Sequence, residues 1–160
     1  SFEQDGIKFI LLSLRYGKRN DLENEWKLHT NKILKEHRDR YAIILTHEAH
    51  DIHREHACNN PNVKLILQGH RHGGRKRELV DCGNGHSLQR FIFAFRHHKD
   101  QWIQEAAAVR FFTFRLAENR IVMKTFSAHE NHWLQDTSAC DDSADITKHC
   151  DFFAWRHKFY

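Results

Sequence analysis

Short apolar runs alternate with longer polar stretches along this chain, and the period of each run predicts an element. Lys8 to Leu14 (KFILLSL) reads as a buried strand. Asn20-Asp21-Leu22-Glu23 resembles a capping box, with Asn20 as cap and Glu23 three residues on. Behind it Leu22, Trp26, Ile33 and Leu34 recur at helical spacing, which predicts an amphipathic helix from Asp21 to about His37. Tyr41 to Thr46 (YAIILT) and Val63 to Leu67 (VKLIL) are short and nearly all apolar, as strands are when helices cover their sheet. With a helix over Glu48 to Cys58, the first half reads β-α-β-α-β.

The second half changes character. Ser87 to Phe95, Val109 to Leu116 and Ile121 to Phe126 read as strands, the last two forming a hairpin that turns at Glu118-Asn119. Trp102 to Ala108 has room for a turn or two of helix. Residues 134–160 are acidic, then aromatic, without a period, and receive no element. Pro61 is the single proline, and neither a low-complexity linker nor an internal repeat divides the chain, so one domain over 1–160 is expected.

Composition narrows this picture. A length of 160 residues suits one core, and 40% hydrophobic with 29% charged residues is a globular rather than a disordered balance. No apolar run approaches the roughly 20 residues that a membrane-spanning helix needs, so no membrane partner is expected. The net charge of +4 favours anionic ligands. Cys58, Cys82, Cys140 and Cys150 contain no C-x-x-C pair, which argues against a cysteine zinc ribbon. Cys140 and Cys150 could close a small loop by a disulfide. The chain begins at Ser1 without a methionine and enters a strand-like run within a few residues, so an upstream part is expected to have been removed.

Fifteen histidines are the unusual count. Four stand at every third position in HEAHDIHREH: His47, His50, His53 and His56. On a helix each residue advances about 100°, so three steps of three drift by about half a circle and the four rings cannot share one ion. The zinc-protease pattern H-E-x-x-H also fails, because Asp51 holds the position of its second histidine. His47 differs from the others, since it sits where the strand YAIILT runs out, and ligands bind beyond the carboxyl ends of such strands. His50, His53 and His56 read as a solvated or partly buried helix face. A second cluster follows the next strand: Gly69-His70-Arg71-His72. Gly69 permits a sharp turn, and alternation puts His70 and His72 on one side of an extended segment. Three imidazoles at two strand ends make a plausible metal-ligand set.

At Thr46-His47 and Gly69-His70-Arg71-His72 the sequence resembles the calcineurin-like metallophosphoesterase family, in which one strand ends in a ligating histidine and the next in G-H-x-H. The likeness covers roughly Gly6 to Ser127. It implies an α/β fold, a layered α/β/β/α sandwich of which this chain is the C-terminal half, with antiparallel strands in the second part. It implies hydrolysis of a phosphoester at two divalent metal ions (zinc, iron, manganese or nickel), with His47 and His70 on one ion and His72 on the other. Arg71 is then a contact for the phosphate-ester substrate. The family's D-x-H, G-D-x-x-D and G-N-H-E/D segments should precede the helix containing Trp26, and this chain has none there. Asp51-Ile52-His53 and Gly83-Asn84-Gly85-His86 imitate two of them too late in the chain and are set aside. Activity is therefore expected to require an N-terminal half or a partner chain.

Other features carry weaker chemistry. Arg75, Lys76 and Arg77 after the histidines read either as a lure for phosphate or as a solvated loop. Arg90, Arg96 and Lys99 interleave with Phe91, Phe93 and Phe95, a mixture that single-stranded nucleic-acid binders use. A strand with Phe inward and the intervening residues outward explains that alternation more simply. The alternative function is a non-catalytic, basic, histidine-rich module that binds metal or nucleic acid, and a structural subunit is a third reading.

Overall fold

The computed structural model describes residues 1–14, 22–47, 56–69, 75–83, 85–93, 108–128, 131–135 and 152–156. Their elements run β1 (Phe2–Gln4), β2 (Ile7–Leu14), α1 (Leu22–Glu36), β3 (Tyr41–Thr46), β4 (Val63–Gln68), β5 (Arg75–Asp81), β6 (Ser87–Phe93), β7 (Ala108–Arg115), β8 (Arg120–Ser127), β9 (His132–Leu134) and β10 (Phe152–Arg156). They form a six-stranded sheet ordered β1-β2-β3-β4-β6-β5 and a four-stranded sheet ordered β10-β8-β7, with β9 also paired to β8. By its contacts the chain divides into two compact units, Ser1–Gly69 with Leu79–Phe91, and His70–Glu78 with Ile92–Tyr160.

The first unit follows from its apolar runs. β1 and β2 form a hairpin whose two loop residues, Asp5 and Gly6, both have positive φ (50° and 76°), as a primed two-residue turn requires. β2 pairs in parallel with β3, and β3 in parallel with β4. Tyr41 to Ile44 are all buried, so β3 is covered on both faces. Ile10, Leu14, Ala42, Ile44, Val63 and Ile66 from these strands pack with Leu34 of α1 and with Ala57, Val80 and Leu88. Leu34 is fully buried and Leu28 lies open, which places one stripe of α1 on the sheet. Asn62 closes the end of that helix. Its side-chain amide donates to the carbonyl of Leu34 (3.2 Å), an acceptor the helix terminus leaves over, and to that of His37 (3.0 Å), which also accepts from the Arg40 N–H.

A knot of polar contacts and one covalent bond sits beside this core. Cys58 and Cys82 form a disulfide, with Cα atoms 5.0 Å apart. The loop after β5 turns through Gly83 and Gly85, both at positive φ, and Cys82 N–H donates to His86 O (3.0 Å). His86 Nε2 lies 3.0 Å from the Val63 carbonyl and Nδ1 3.4 Å from that of Cys58. The disulfide and this ring thus fasten the β5–β6 turn to the segment that leads into β4.

In the second unit β7 and β8 form an antiparallel hairpin, Ala108↔Ser127 through Arg115↔Arg120, with Asn119 at positive φ in its turn. β9 pairs with Thr125–Ser127 and β10 with Arg120–Lys124, so the two follow each other along the side of β8 away from β7. Ile121, Met123 and Thr125 are fully buried.

The layered α/β/β/α sandwich is corrected by these elements. Strand dominates the described residues, in two sheets, and α1 is the one long helix among them. The cause is visible on β7, where exposure alternates residue by residue. A sheet with one wetted face has no need of a helix across it. Arg75–Asp81, His132–Leu134 and Phe152–Arg156, which show no strand period in the sequence, are strands. No helix among the described residues is long and apolar enough to cross a membrane.

Candidate functional site

The candidate site begins at the carboxyl ends of β3 and β4. Thr46 and Gln68, the last residues of these parallel strands, are ladder partners. Gly69 N–H donates to the Thr46 carbonyl at 3.0 Å, so pairing persists past the last strand residue. The two segments therefore leave the sheet at the same level. His47 follows Thr46 directly and is exposed. It stands just beyond the carboxyl end of an interior parallel strand, the end of a sheet at which ligands bind in parallel arrangements.

Buried polar groups fix the strand ends behind it. Thr46 and Gln68 are buried. Arg90 of β6 donates from Nε (2.8 Å) and Nη2 (2.6 Å) to Gln68 Oε1. β6 lies between β4 and β5, and Arg90, Phe91 and Ile92 are all buried, so both faces of the strand are covered there and the arginine is not solvent-facing. Phe91 and Arg90 are thereby removed from any surface that could stack nucleic-acid bases. Lys64, half-buried on β4, has its ammonium pushed below the ordinary lysine value by loss of water.

Of the sequence-derived ligand set, His47 falls within the described residues. His70, Arg71 and His72 lie outside them, as do His50, His53, Glu48 and Asp51. Among the described residues no group of three or more His, Cys, Asp or Glu could hold a metal ion. His56, the last of the histidine ladder, is engaged elsewhere. Asn31 Nδ2 donates to its Nδ1 at 3.0 Å, and Asn60 Nδ2 donates to Asn31 Oδ1 (2.8 Å) and to the His56 carbonyl (2.7 Å). This ring ties α1 to the short helical segment before β4. His86, set aside as an imitation of the asparagine motif, is likewise structural. No sequence spacing marks the Cys58–Cys82 bridge, and the Cys140–Cys150 pairing lies outside the described residues.

The donor set fits the implied metal pair in part. Imidazole at an exposed strand end suits zinc, iron or nickel. Three neutral rings bring no charge to set against two dications, so a bridging carboxylate has to come from elsewhere.

No protein-family profile matches the chain, and no solved structure does. Over 94 residues it is 33% identical to an uncharacterized protein of Bacillus subtilis (strain 168), YvnB. That stretch covers 51% of this chain and 7% of the relative, so the chain matches a small fraction of that protein's length.

Proposed function

We propose that this chain supplies the histidine side of a metal-dependent phosphoester hydrolase, with His47, His70 and His72 as ligands and Arg71 as a contact for the phosphate. The support is the level exit of β3 and β4: Thr46 pairs with Gln68, and Gly69 bonds back to Thr46. In the sequence His47 follows the first of these strand ends, and His70 follows Gly69. A bound divalent ion would supply an activated water and polarise the phosphoryl oxygens. The chain's own part is to present neutral imidazoles and, through the Gln68–Arg90 contact, to hold one strand end still. Full activity then needs carboxylates from an N-terminal half or a partner chain. Metal content of the purified chain after loading with zinc or manganese tests this. His47→Ala and His70→Ala each remove most of the bound metal, whereas His53→Ala leaves it unchanged. Equal losses from all three variants would overturn the ligand assignment in favour of diffuse histidine binding.

A further inference from the structure

The four-stranded sheet carries a face of a different character. Alternate residues along a strand, and direct partners across a ladder, share a face. The registers therefore place Val109 and Phe111 of β7, Arg120, Lys124 and Phe126 of β8, and Trp133 of β9 on one side. Three of the apolar members are open to solvent: Val109 is 50% exposed, Phe111 48% and Trp133 47%. Phe126 is half-buried, and Val122, which shares this side between Arg120 and Lys124, is buried. Trp133 meets Phe111 and Phe126 edge-on, with ring centres 5.5 and 5.2 Å apart, and the Lys124 ammonium lies 5.8 Å from the centre of the indole. Glu118, in the hairpin turn, is neutralised by Arg115 at 3.3 Å.

These features select among occupants. An apolar protein surface, or a second copy of this face, would have to bury Lys124, and a second copy would also bring like charges together. A chain of flat rings joined by anionic linkers satisfies the aromatic and the cationic groups together. We infer that this face binds single-stranded nucleic acid, with bases stacking on Trp133 and Phe111 and phosphates drawn to Lys124 and Arg120. A duplex keeps its bases stacked on one another and cannot offer them to the rings. This surface is independent of the histidine site, and each stands or falls alone.

Fluorescence anisotropy of the full chain with a labelled oligothymidylate tests the inference. Binding is expected to weaken steeply with added salt. Trp133→Ala and Phe111→Ala each lower affinity by about tenfold, the value of one stacked base. Lys124→Glu lowers affinity and flattens the salt dependence, and as a change at an exposed position it carries the test if a ring variant does not fold. His47→Ala leaves oligonucleotide binding unchanged. Absence of binding, equal affinity for duplex, binding only to phosphatidylserine vesicles, or wild-type affinity in the ring and Lys124 variants would each overturn it.

Discussion

Arg90 directs two donors, Nε and Nη2, at one acceptor, Gln68 Oε1, with both side chains buried. The contact binds β6 to the last residue of β4, two residues before His70 in the sequence. Arg90→Met leaves the Gln68 amide oxygen buried without these donors, a loss of about 1–3 kcal/mol. Arg90→Lys does not restore it, because an ammonium cannot reproduce the two-pronged geometry. Urea unfolding of the two variants checks the cost. A midpoint unchanged from wild type would show that the contact contributes nothing.

The Cys58–Cys82 bridge spans 24 positions and packs against the core of the first unit. A loop of that size, once cross-linked, loses unfolded-state freedom equivalent to about 3 kcal/mol. Cys58→Ala/Cys82→Ala is expected to unfold at lower urea by that amount. Dithiothreitol should lower the midpoint of the wild type by more than that of the variant.

Lys64 gives a dependence on pH whose sign is fixed by burial. Its folded-state pKa lies below the ordinary 10.5 because β4 strips water from the ammonium. Between the folded value and 10.5 the unfolded chain holds the proton that the folded chain has released. Stability therefore rises with pH through that window, and the penalty is complete below it. Lys64→Met removes the penalty, so its melting temperature should exceed that of the wild type at neutral pH. The gap should close as pH approaches 10.5. A gap that stays constant across that range would assign the effect to packing rather than to charge.

How much of this was legible depended on whether a segment's neighbours were local. YAIILT and VKLIL announce buried strands because their apolar runs have no other use, and β3 and β4 fall where expected. Glu118-Asn119 announced the hairpin turn, and Asn119 takes the positive φ there. RKRELVD has the charge of a loop, yet its pairing with β6 makes it a strand, a tertiary effect that no local period carries. β9 is too short to show a period, and β10 follows an acidic stretch that hides it. The bridge between Cys58 and Cys82 was illegible because it depends on where the β5–β6 turn returns. At the candidate site, the strand-end position of His47 could be read from sequence. The structural duties of His56 and His86 could not, since their partners Asn31 and Val63 are more than twenty positions away.

A host whose cytosol keeps thiols reduced would deliver this polypeptide with two sulfhydryls where the architecture has a cross-link. Such a preparation would be soft around the segment leading into β4, the strand that ends just ahead of Gly69-His70. A metal-loading test on such a preparation would report the missing cross-link rather than the proposed histidine ligands.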